Sequence, residues 1–107
     1  MLIDMLTLTL RPGHLPVFLD RFETGMLALE RQHCGTAMAS LLSETGELNQ
    51  FVQLRAYADA ADRSRRQAAL QTEPRWQHFW SEMLPLVDHR ESRLLRPAAF
   101  SLPRGGP

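Results

Sequence analysis

Three groups of residues in this chain have types and spacings that could do chemistry. The first is Gln53, Arg55 and Tyr57, at alternate positions of an extended run. A period of two places them on one face of a strand, where a guanidinium and a phenol could orient a ligand or stabilise an oxyanion. The second is Trp76, His78 and Trp80. Four residues apart, the tryptophans share a helix face, while His78 lies about 200 degrees around from Trp76. That geometry sends the tryptophans to the core and the histidine to solvent. The third is the basic run Arg63-Ser64-Arg65-Arg66, which could hold a phosphate but has Asp59, Asp62 and Glu73 close by. A short charged run on an exposed helix serves solubility, and this one has no flanking aromatics on which bases could stack.

The remaining candidates are weaker. Cys34 precedes Gly35 near the expected end of a helix, where the negative end of the dipole opposes a thiolate nucleophile. His14, His33, His78 and His89 have no ligand spacing, so no metal is expected. Glycines 13, 25, 35 and 46 are scattered and form no phosphate loop, and no Ser-His-Asp order stands out. No cofactor is implied.

Bulk properties narrow the class. A length of 107 residues suits one domain, with residues 1–100 forming it and 101–107, rich in Gly and Pro, a flexible tail. Twelve basic residues against twelve acidic ones remove any global attraction to nucleic acid or an anionic membrane. No apolar run nears the roughly 20 residues of a bilayer span. Met1 to Leu10 lack a basic flank and a cleavage site, and read as a strand instead of a signal peptide. A single cysteine cannot form an internal disulfide, so a cytoplasmic location is expected.

The elements that must position these residues follow from periodicity. Residues 2–10 form strand one, stopped by Arg11-Pro12-Gly13. Leu15, Phe18, Leu19, Phe22, Met26 and Leu29 mark the apolar face of a helix from Pro16, with Asp20, Arg21, Glu23 and Glu30 between them. Gly25 bends or interrupts this helix, and Cys34-Gly35 ends it. Residues 37–44 and 50–57 pair as a hairpin. Asp59 caps a helix through Thr72, Glu73-Pro74 starts another that Pro85 weakens, and residues 89–96 make the last strand. The order is β-α-β-β-α-α-β, an α+β, ferredoxin-like, four-stranded antiparallel sheet with helices on one face. If Val52, Leu54 and Ala56 turn toward the helices, then Phe51, Gln53, Arg55 and Tyr57 point to the uncovered face. An uncovered face of this kind is buried most simply by dimerisation.

The segments Thr9-Leu10-Arg11-Pro12-Gly13-His14-Leu15, Gly46-Glu47-Leu48-Asn49-Gln50-Phe51-Val52-Gln53-Leu54 and Ala56-Tyr57 suggest a known family. So do Asp62-Arg63, Arg65-Arg66, Ala69-Leu70, Pro74-Arg75-Trp76-Gln77-His78-Phe79 and Arg93-Leu94-Leu95-Arg96-Pro97. In this order and spacing the chain resembles the NIPSNAP family of the dimeric α/β-barrel superfamily. The resemblance implies a homodimer whose sheets enclose a barrel-like cavity, and it brings no agreed reaction. Related monooxygenases and haem-degrading enzymes share the scaffold alone. Where many members have Arg and Tyr in the first strand this chain has Leu6 and Leu8, and where His and Trp are common in the third it has Gln53 and Arg55.

Under that alignment Asp4, Leu6 and Leu8 join Gln53, Arg55 and Tyr57 as candidate ligand-binding residues, an apolar wall with a few polar groups. Two readings stay open for this face. One is a pocket for a small apolar ligand. The other is a sealed interface, with Arg55 paired to an acid such as Asp4 or Glu91. The expected function is that of a NIPSNAP protein of undefined activity. The alternatives are a cofactor-independent monooxygenase or isomerase acting on a small aromatic or lipophilic substrate, with Arg55 and Tyr57 at the oxyanion, and a protein-interaction adaptor.

Overall fold

The computed structural model describes residues 1–101, so the expected tail lies, beyond Ser101, outside the described residues. The chain runs through β1 (Leu2–Leu10), α1 (Leu15–Arg21), a π-helical turn (Phe22–Met26), α2 (Leu27–Cys34), β2 (Ala39–Leu42) and β3 (Gln50–Tyr57). It continues with α3 (Ala60–Gln71), α4 (Pro74–Met83), a 3-10 turn (Leu84–Leu86) and β4 (Val87–Leu95). The element order is the expected one. The expected break at Gly25 is a widened turn, in which the Leu27 N–H bonds the Phe22 carbonyl, and Pro85 turns the end of α4 into the 3-10 turn. That turn lets β4 begin at Val87, two residues before the expected start.

The strands order as β2-β3-β1-β4, each pair antiparallel. Asp4 stands opposite Arg55, Leu6 opposite Gln53 and Leu8 opposite Phe51. These cross-strand pairs share one face, as expected, but it is not the uncovered face. Asp4, Leu8, Phe51, Gln53, Arg55 and Tyr57 are all buried beneath the helices, whereas Val52 and Leu54 are half-buried and Ala56 is exposed.

The face assignment inverts because α2 delivers an acid to this strand. Phe22, Met26, Glu30 and Cys34, spaced by four, all lie on the buried side of the first helical stretch. Glu30 therefore meets Gln53 and Arg55 and makes their burial tolerable. Phe51 and Tyr57 add more apolar area than the aliphatic set could, and aromatic burial dominates core energetics.

The core is built around Phe18, which is fully buried. Its ring centroid lies 5.8 Å from Phe22 and Phe51 and 5.9 Å from Phe79 and Trp80. The Asp59 side chain accepts from the Asp62 N–H at 2.8 Å and caps α3 as expected. Among the described residues no helix is long and apolar enough to cross a membrane.

Candidate ligand-binding site

Between the sheet and the helices lies a partly enclosed cavity of about 40 Å³. Its sheet side carries Asp4, Leu6, Leu8, Gln53 and Arg55, five of the six residues singled out in the sequence. Phe18, Phe22, Phe51, Trp76 and Trp80 form an aromatic wall, and Glu30, Arg63, Gln67, Arg90 and Ser92 complete the lining. Arg90 and Ser92, on the inner face of edge strand β4, are exposed, so the cavity is least covered there.

Two ion pairs organise its polar side. Arg55 Nη2 donates to Glu30 Oε1 at 2.7 Å, with both side chains less than one-tenth exposed. Arg55 Nη1 reaches Gln53 Oε1 at 3.3 Å, and Nε reaches the Gly35 carbonyl at 3.2 Å. Gln53 Nε2 closes the cluster on Glu30 Oε1 at 3.0 Å. The second pair is Arg63 Nε with Asp4 Oδ2 at 2.8 Å, while Ser92 donates to Asp4 Oδ1 at 2.7 Å. The Arg55 partner is thus Glu30, neither Asp4 nor Glu91, because α2 lies over β3 and α3 brings Arg63 over β1.

Tyr57 stands apart from the cavity. Its hydroxyl accepts from Gln67 Nε2 at 3.0 Å, and burial, helped by the nearby Cys34, pushes its pKa up to about 12. Burial likewise pushes the Cys34 thiol up, a larger effect than the lowering by its hydrogen bond to Tyr57. Neither group suits proton transfer near neutrality.

The cavity has more donors than acceptors. Trp76 Nε1–H is buried without a hydrogen-bond partner among the described residues. A buried unsatisfied donor of this kind costs about 1–3 kcal/mol. Arg63 binds Asp4 through Nε, and its Nη1 and Nη2 have no bond among the described residues. Arg90 makes no ion pair there; its guanidinium carbon sits 5.8 Å from the Trp80 ring centroid.

Sequence reasoning placed Glu30 and Arg63 on solvated faces and both tryptophans in plain core. The signal for Glu30 was its four-residue step from Met26. For Arg63 it was the step through Gln67 to the buried Leu70. His78 is exposed, as expected, and lies 3.1 Å from Glu82. Arg65 and Arg66, both exposed, bind the buried Asp62 at 2.8 and 2.9 Å.

A family model for NIPSNAP matches residues 3–102. The chain belongs to the NIPSNAP family. The resemblance carried by its motifs is thus confirmed at the level of the whole domain. An uncharacterised NIPSNAP domain protein from Burkholderia xenovorans is 32% identical, superposes with a TM-score of 0.88, and covers 94% of this chain and 98% of its own. Protein Atu4242 from Agrobacterium tumefaciens is 29% identical with a TM-score of 0.90, covering 95% and 98%. A solved antibiotic biosynthesis monooxygenase is similar in fold alone, at 13% identity and a TM-score of 0.65 over 92% and 99% of the two chains. No curated protein matches the sequence. Family membership therefore brings the ferredoxin-like fold and no established activity.

Proposed function

We propose that this NIPSNAP-family protein binds a small organic molecule in the cavity between its sheet and helices, and that it does so as a homodimer joined through the open sheet face. The binding reading is supported by a partly enclosed cavity walled by five aromatic side chains, one of which, Trp76, holds a buried Nε1–H without a partner among the described residues. Native structures rarely leave such a group unsatisfied, and a ligand acceptor would satisfy it. Aromatic walls with a few convergent polar groups are the usual makeup of a small-molecule site. The polar lining shifts the expected ligand from purely apolar to one with a polar end.

The dimer reading is supported by the outer sheet face. Met5, Val52 and Leu54 are half-buried there, and Leu41 is 49% exposed with no helix over it. The oxygenase or isomerase alternative gains nothing from Tyr57, whose hydroxyl is held by Gln67 away from the cavity.

Intrinsic fluorescence tests the binding reading. Trp76 and Trp80 are the only tryptophans in the chain, and both line the cavity. A panel of small aromatic and aliphatic acids, amides and alcohols should contain members that change the emission saturably. A panel without any saturable change would contradict the reading.

A further inference from the structure

We propose that the ligand is an aromatic carboxylate, with its acid group in the donor-rich cavity and its ring in the adjoining groove beside Trp76 and Trp80. This rests on the cavity being a ligand site and adds the ligand's class.

Charge comes first. The lining holds two carboxylates, Asp4 and Glu30, against three guanidinium groups, Arg55, Arg63 and Arg90. Arg55 is matched by Glu30 and Arg63 by Asp4, which leaves Arg90 as an unmatched positive charge at the least covered side. An anion is favoured there by the Arg90 charge, screened by water at this exposed side. Hydrogen bonding points the same way. Donors without hydrogen-bond partners among the described residues are Trp76 Nε1–H, the Arg63 Nη groups and the Arg90 guanidinium, while both oxygens of Asp4 and Oε1 of Glu30 are engaged, leaving Glu30 Oε2 as the one lining carboxylate oxygen without a donor among the described residues. A ligand that only accepts fits this arrangement, and a carboxylate accepts at two oxygens.

Size sets the rest. A cavity of about 40 Å³ holds roughly three water-sized groups. That matches the three heavy atoms of a carboxylate and excludes a ring. The ring therefore has to lie outside, and a groove of about 220 Å³ is available for it. Trp76, Trp80 and Arg90 line both spaces, so the groove adjoins the cavity along these three side chains. The groove also contains Leu84, a large apolar side chain 65% exposed. A flat ring against indole and leucine would cover it, and aromatic faces favour offset or edge contacts with one another.

The test is isothermal titration calorimetry of the full chain with 2-naphthoate and its uncharged isostere 2-naphthamide. The acid should bind at least about tenfold tighter, since a hydrogen bond to a charged group outweighs a neutral one. Trp76→Phe keeps an aromatic ring and removes the unsatisfied donor together with part of the indole, so it should still fold, less stably by the space it opens, while binding the acid about tenfold more weakly. Arg90→Gln, at an exposed position, should shrink the preference of acid over amide. Leu84→Asp, also exposed, should weaken 2-naphthoate several-fold by repelling its ring from the groove.

Equal affinity for acid and amide would overturn the carboxylate assignment while the cavity itself remained a ligand site. An acid preference that survives both Trp76→Phe and Arg90→Gln would overturn it as well. If neither naphthyl compound binds but the fluorescence panel yields another ligand, the class named here is wrong and the site is right. If nothing in either experiment binds, both readings fall.

Discussion

The Arg55 guanidinium donates to Gly35, Gln53 and Glu30 at once, and this cluster explains why a strand buries its polar side chains and leaves half-open its aliphatic ones. Breaking one member leaves a buried charge alone. Glu30→Leu should cost about 3–5 kcal/mol in chemical denaturation, and adding Arg55→Leu should recover most of that loss. A small single-mutant effect would mean that water reaches the pair. Tyr57 gives a second check, since it is the only tyrosine in the chain. Its folded pKa is raised to about 12, so the neutral phenol stabilises the fold fully below its ordinary pKa, and that contribution is lost as pH rises through about 12. Tyrosinate absorbance should show a single delayed transition, and Tyr57→Phe should flatten the alkaline loss of stability. At this scale the sequence was legible in pairing and not in facing. Asp4, Leu6, Leu8, Gln53 and Arg55 were grouped correctly on one face, but both faces of β3 carry apolar residues. Only the distant Glu30 decides which one turns inward.

At the scale of elements the fold was largely readable, because apolar periodicity and breakers are local signals. Arg11-Pro12-Gly13, Asp59 and Glu73-Pro74 delimit β1, α3 and α4 close to where they were expected. The π turn was legible only as a weakness at Gly25. Its widening and its effect on α2 depend on packing against β3. Gly35 ends α2 at φ 79 and ψ 174, a region open essentially to glycine alone, and its carbonyl holds Arg55. Gly35→Ala should therefore destabilise by about 1–3 kcal/mol although its new Cβ would meet only Arg66 Nη1, at an ordinary contact distance of 3.9 Å. The start of α3 provides a pH test. The Ala58 N–H, followed by Arg66, holds the Asp62 carboxyl below its ordinary range. A lowered folded pKa gives stability that is present above the unfolded pKa and lost as pH falls through the folded one. Asp62→Asn should remove that part of the acid dependence, as read from unfolding midpoints across an acid series.

For the whole molecule, the open question is what meets the uncovered sheet face. That a face would be left open follows from counting layers, and this was legible in the sequence. Which residues occupy it was not, since that depended on the inverted strand. Those residues are now Met5, Leu41, Val52 and Leu54, flanked on β4 by Glu91 and Arg93. Light scattering should give a dimer at micromolar concentration, and Leu54→Asp should shift it to monomer by placing a charge in an apolar contact. A wild-type monomer would contradict the dimer.

The central claim is that the sheet and helices enclose a ligand site around the unpartnered Trp76 donor. Its most direct test is a proton–nitrogen correlation spectrum of the protein as an aromatic acid is added, because the two tryptophans give two indole signals assignable with Trp76→Phe. The account predicts that the Trp76 signal moves downfield and saturates as its N–H gains an acceptor, with Leu54 and Val52 amides on the open face unmoved. A Trp76 indole signal that stays fixed while the open-face amides shift would place binding on the wrong side of the sheet and contradict the account.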